Sequence, residues 1–269
     1  MEDVYTADFN ELLTPGIKDY PSVQFASKAI EPALRIRETS SSCFIHDSPL
    51  RRHPDNRLYY QLFSPNHLFY RLCYMEVEIT EALLAELSKY GLLLQQDLLL
   101  PSVVTIVAGE PLHRSWWSHP AGHVIYSCLN ALAQRPDTLV TRLVSGKVTY
   151  VHRRLWPAVL AVASARAPWQ FARLSAPARD LYESVECQGT LLATGRPVKD
   201  LERRLLVHGE QIHTEAGHHE TRLESWSLWA DRVGCHSTLS ASEGQRQLES
   251  ALRTLGGAEA LLPWSKKEE

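Results

Sequence analysis

The chain has 269 residues, 44% of them hydrophobic and 22% charged, with a formal net charge of −3. That is enough for one large domain or two ordinary ones, and the near-neutral balance excludes a polyanion binder by bulk charge alone. No apolar run reaches the roughly 18 to 20 residues needed to cross a bilayer, and the acidic start MEDVYTADFNELL has no apolar leader core, so the expectation is a cytoplasmic protein without a membrane partner.

Charge is unevenly distributed. Residues 1–134 carry net −5, residues 135–204 net +6 and residues 205–269 net −4. A basic block between two acidic ones can meet the phosphates of a partner or the acidic parts of its own chain, and the distribution leaves both open. The five cysteines are scattered, with no CxxC pair, which predicts free thiols rather than a disulfide framework or a zinc ribbon.

In chain order, residues 1–58 read as irregular, with one helix in PSVQFASKAIEPALRIRE and a polar loop at HDSPLRRHPDNR. Residues 59–110 read as a mixed α/β unit. LYYQLFSPNHLFYRLCYMEVEIT ends in β-branched residues and predicts some strand. TEALLAELSKYGLLL predicts a helix capped by Thr80, and PSVVTIVAGE predicts a strand bounded by Pro101 and Gly109. In residues 111–173, Ile125, Leu129 and Leu132 mark a helix that stops before Pro136. A Ser145–Gly146 turn, a strand KVTYVH and an apolar helix around PAVLAVA follow, an incomplete unit not close enough to the next stretch to be called a repeat.

Residues 174–233 carry the clearest layout. Leu174, Ala178, Leu181, Tyr182 and Val185 mark one helix, opened by Ser175–Pro177 and stopped by Gly189. TLLAT is a short extended segment. Val198, Leu201, Leu205 and Leu206 mark a second helix over 198–207. A hairpin over 210–222 turns at Ala216–Gly217, and a closing helix carries Leu223, Trp226 and Trp229. This is the order of a winged-helix module, with the hairpin as wing. Residues 234–269 hold one more helix, from about Ser242 to Leu255, and a solvated tail. The fold class is therefore α/β and α-rich: a mixed N-terminal α/β unit (1–110), a basic helix-strand-helix unit (111–173), the winged-helix-like module (174–233) and a C-terminal helix (234–269).

Through HRRLWPAVLAVA (152–163), LSAPARDLYESVECQGTL (174–191) and VKDLERRLLVHGEQIHTEAG (198–217), the chain resembles bacterial winged-helix proteins of the group related to AlkZ-type DNA glycosylases. The resemblance spans residues 110–233 and is one of layout. It implies DNA or partner binding. The paired-glutamine signature of the glycosylases is missing, since Gln170 stands alone beside Trp169, and no catalytic residue is carried over.

The phosphate-binding candidates are Lys147, Arg153 and Arg154 around the 144–155 strand and turn, with Arg196, Lys199, Arg203 and Arg204 on the second helix of the module and its entry turn. A solvated helix face is the plainer account of the same arginines. Two histidine groups invite a metal reading: His113, His119 and His123, and His208, His213, His218 and His219 with Glu210, Glu215 and Glu220. Neither has a recognised metal spacing in a credible helix, so no bound metal is expected. No GxSxG, GxxxxGK[ST] or GxGxxG is present, which leaves no cofactor indicated. Adjacent indoles at Trp116–Trp117 are expected to point differently. Either one is core and the other a stacking platform for a base or sugar, or both fill a gap between domains. The leading expectation is a DNA-binding protein without a catalytic motif. The alternatives are a metal-assisted hydrolase or nucleic-acid-processing enzyme using a histidine group, and a module that binds a protein partner.

Overall fold

The computed structural model describes the backbone of residues 65–213 and 219–265, and side chains within 78–212 and 220–265. The helix and loop expected within residues 1–58, the Ala216–Gly217 turn and His218 lie outside the described residues.

The first helix, α1 (Pro65–Tyr90), is unbroken. The strand expected in its first half and the cap expected at Thr80 are both overturned. Ile79, Leu83 and Leu87 recur at four-residue spacing, and the two leucines are fully buried, so tertiary packing overrides the β-branched run. Gly91, at φ 81°, ends the helix with its N–H on Leu87 O at 2.7 Å, and the three leucines after it form β1 (Leu92–Leu94). The strand expected at PSVVTIVAGE is also corrected: it is a short helix, α2 (Val103–Ala108). Ser102 caps it, its Oγ accepting from Thr105 N at 3.2 Å, and Gly109 closes it in the left-handed region.

After a 3-10 turn at Trp116–Ser118 comes α3 (Gly122–Ala133), which buries the expected Ile125, Leu129 and Leu132. Strands β2 (Thr138–Arg142) and β3 (Val148–His152) form a hairpin about Ser145–Gly146. β1 joins the far side of β3, Leu92 opposite Val151, so the antiparallel order is β1-β3-β2. This sheet spans the expected division at residue 110.

The module read from the sequence follows as α6 (Ala176–Gln188), β4 (Thr190–Ala193), α7 (Arg196–Arg203), β5 (His208–His213) and β6 (His219–Glu224). Before it come α4 (Trp156–Ala163) and the short α5 (Pro168–Phe171), and after it α8 (Trp226–Val233) and α9 (Ala241–Leu255). The second sheet is also antiparallel, in the order β4-β6-β5. In both sheets the first strand lies beside the last strand of the hairpin. The stretch from β1 to β3, which begins upstream of the incomplete unit read within residues 111–173, thus repeats the strand order of the downstream one and holds two helices, α2 and α3, where the downstream one holds α7 alone.

The helix expected over 198–207 stops at Arg203 for a visible reason. Leu205 sits at φ 52°, and its carbonyl is taken by Trp226 Nε1 at 2.9 Å and by Gln170 Nε2 at 3.3 Å. Leu205, Leu206 and Val207 then run buried into β5. Leu223, expected on the closing helix, is fully buried in β6 instead.

Three apolar clusters hold these parts. Leu93 and Tyr150 of the first sheet face a cluster with α1, α2 and α3. Leu92, Leu94, Leu139 and Val151 face the opposite way, into a central cluster with α4, α8 and α9. This is the two-residue alternation of a strand with both faces covered. The third cluster lies under α6 and α7. The molecule is an α-rich α/β fold, and no helix among the described residues is long and apolar enough to cross a membrane.

Candidate nucleic-acid interface

The seven basic candidates divide by what already holds them. Arg204 is turned inward: its Nη1 donates to the carbonyls of Trp169 at 3.0 Å and Gln170 at 3.3 Å, and burial pushes its pKa down. Arg154 donates to Lys89 O at 2.9 Å, at the C-terminus of α1. Lys147 pairs with Asp97 at 2.6 Å. Burial raises the Asp97 pKa, but Lys147 and the backbone N–H groups of Leu99 and Leu100 outweigh it and hold the carboxyl below its ordinary value. Arg153 is exposed, with its guanidinium 6.0 Å from the Trp156 ring centroid.

The remaining three lie on α7. Val198 and Leu201 are its buried face. Arg196 is 92% exposed, 3.8 Å from Asp200 one turn on, a separation that carries little energy in water. Lys199 and Arg203 are exposed and have no ion-pair or hydrogen-bond partner among the described residues. The stem of Arg203 lies on the hairpin turn of the first sheet: a Cβ on Gly146 would come within 3.1 Å of its Cγ. Beside it, Arg142 of β2 pairs with Glu202 of α7 at 2.9 Å, both side chains largely buried. A cleft of about 140 Å³ opens between β2, α7 and the second sheet, lined by Arg142, Lys199, Glu202 and Gln211 among others.

Lys147 precedes β3 and Arg153 and Arg154 follow it. At about 3.3 Å per residue the two groups stand about 20 Å apart, so the basic block forms two patches. Arg196, Lys199 and Arg203 make the one that α7 carries, and Lys147 follows Gly146, on which the Arg203 stem lies. The sequence reading did not single out Arg173 and Arg179, which are also exposed and without ion-pair or hydrogen-bond partners among the described residues. They belong to the same basic block but lie off the helix that the layout brought forward.

The histidines separate. His119 Nδ1 accepts from Ala121 N at 3.2 Å in the turn before α3. His208 is buried, its Nδ1 3.0 Å from Glu224 Oε1, and its ring lies against the paired indoles of Trp226 and Trp229. Arg232 binds the same carboxylate, its Nε on Oε2 at 3.2 Å. Burial raises the Glu224 pKa, but the hydrogen bonds from His208 and Arg232 prevail and hold it at about 2. Among the described residues no three His, Cys, Asp or Glu side chains are grouped to hold a metal ion.

Gln170 is fully buried. Its Oε1 accepts from Ala167 N at 2.8 Å, and its Nε2 reaches Ala163 O at 3.0 Å and Arg204 O at 3.2 Å. It ties the ends of α4 and α7 together.

Of the adjacent indoles, Trp116 is buried and Trp117 is 52% exposed. Their rings stack, centroids 4.0 Å apart and planes 24° from parallel, and Tyr126 of α3 lies 5.6 Å from Trp117.

Comparison of the chain with protein-family models, with curated proteins and with solved structures gave no match.

Proposed function

We propose that the protein binds DNA through two winged-helix modules, one upstream (α1 to β3) and one downstream (α6 to β6). The supporting observation is the repeated strand order, β1-β3-β2 and β4-β6-β5, each with a helix, α3 or α7, directly before its hairpin. In helix-turn-helix proteins that helix enters the major groove. In the downstream module α7 presents Arg196, Lys199 and Arg203 to solvent. Lys147 joins them from the neighbouring hairpin, and Arg153 and Arg154 form a second, weaker patch. Arg204 acts inside the fold. Kinship with the AlkZ-type group is part of the same proposal, and no catalytic step is assigned.

Affinity for duplex DNA then falls steeply with salt, because each neutralised phosphate releases counterion, with a slope of about −0.9 per contact. Arg196→Ala, Lys199→Ala and Arg203→Ala each weaken retention and make the slope shallower by about one contact. Absence of retention of the wild-type protein on duplex at low salt rejects the proposal.

A protein-partner reading has its own observation. Leu98 and Leu99 are 45% and 92% exposed on a loop fixed by Asp97, whose Oδ1 accepts from Leu99 N at 2.9 Å and Leu100 N at 3.0 Å. Leu99→Ser would abolish a partner contact there without altering salt-dependent DNA retention.

A further inference from the structure

We propose that Trp117 is a stacking platform for an unpaired nucleobase. The inference rests on the nucleic-acid reading above and adds a kind of contact that the basic residues do not make.

The first argument is rigidity. One face of the Trp117 indole is covered by Trp116, which is itself buried in the cluster with α1 and α3. Tyr126 lies against it at a tilt. Behind the pair, Gly122 opens α3, and a Cβ there would lie 3.1 Å from the carbonyl oxygens of both Trp116 and Trp117. The close approach of helix and turn therefore holds the two indoles in place. An aromatic fixed before binding stacks on a base without an ordering cost.

The second argument is surroundings. Residues 111–134 contain no aspartate or glutamate. The same segment carries the exposed His113, Arg114, Ser118 and His123, so nothing on it repels a phosphate backbone. An exposed indole in a carboxylate-free segment that also carries a cation matches the pairing of aromatic stacking and positive charge by which proteins hold single strands.

The third argument is position. Trp117 lies in the 3-10 turn Trp116–Ser118, four residues short of α3, the helix that precedes the upstream hairpin. The N-terminal residues of such a helix are those that meet bases. α3 itself, GHVIYSCLNALA, has no lysine or arginine, so contact there is made by stacking and polar groups rather than by charge.

The test uses the full chain and a short labelled oligothymidylate, with oligouridylate and a matched DNA duplex as further probes. Trp117→Ala is expected to weaken oligothymidylate binding about tenfold, with the salt slope unchanged, because no phosphate contact is lost. Trp117→Phe keeps a ring and retains most of the affinity, while the quenching of indole fluorescence on binding drops. Arg114→Ala does the reverse, making the slope shallower. Oligothymidylate binding unaffected by Trp117→Ala overturns the platform and leaves the DNA reading standing. So does a protein that retains duplex in a salt-dependent way but no single strand. A Trp117-dependent interaction with oligouridylate alone keeps the platform and rejects DNA as the ligand. A wild-type protein that binds none of the three probes rejects both.

Discussion

Glu224 shows how one side chain fixes a joint of the molecule. It closes β6, it is 3% exposed, and its carboxylate serves His208 across the sheet and Arg232 on α8. Its pKa in the fold, about 2, lies below its ordinary value of 4.5. The stabilisation it contributes is therefore complete above pH 4.5 and is lost as pH falls from there towards about 2. Thermal melts across that window are expected to show the wild-type midpoint falling, and a flatter profile for Glu224→Gln. Glu224→Ala leaves His208 buried without its partner and is expected to cost about 3 kcal/mol in denaturant unfolding. Arg232, 46% exposed in its side chain, can turn to water and soften that loss. A melt of Glu224→Gln that tracks the wild type through the acid limb would show that the carboxylate is not ionised in the fold.

The contact of α4 with α9 sets how closely two helices approach. A Cβ at Gly244 would lie 2.7 Å from the Ala158 carbonyl oxygen and 3.1 Å from Val162 Cγ2. Gly244→Ala must therefore push the helices apart, and overpacking of this kind costs about 1–3 kcal/mol, against the slight gain alanine brings to a helix interior. Chemical denaturation decides the sign, and an unchanged or raised midpoint would mean that the helices are not in this contact. Elements whose signals are local were legible from the sequence: α6 between Ser175–Pro177 and Gly189, α3 by its apolar spacing, the second hairpin by its two strands, and of the first hairpin the turn and the strand KVTYVH, whereas its partner β2 was read only as a short segment. Elements decided by distant partners were not. Val103–Ala108 has the side chains of a strand and the caps of a helix, and the caps prevail. The β-branched end of 65–80 is absorbed into α1 because Leu83 and Leu87 anchor the whole helix. The site was legible to the same extent. Charge marked α7, but sequence spacing cannot tell Arg203, lying on a turn in solvent, from Arg204, whose guanidinium is held by two carbonyls. That difference depends on α5, some thirty residues upstream.

At the scale of the molecule, the central cluster takes residues from the first sheet, α4, α8 and α9, so the C-terminal helix is part of the core. Leu248, Leu252 and Leu255 of α9 are buried at 0%, 0% and 3% exposure. Removing residues 241–265 would leave most of α4 facing water. Such a truncation is expected to bind hydrophobic dyes and to melt without a cooperative transition. A truncated protein with a sharp transition would show instead that the two sheets and their helices hold together without α9.

The two-sided packing of β3 also bears on how errors are removed during folding. Val148 and Tyr150 point to one cluster, and Val151 points to the other. A strand with one solvated face can slip by one residue and still present some apolar surface to its only core. Here a slip of one residue would drive the Tyr150 ring into the space made for Val151 and leave a void where the ring had been, so neither side would close. A misregistered hairpin would find no stable docking on either layer and would come apart before it could be trapped, so two cores proofread one strand.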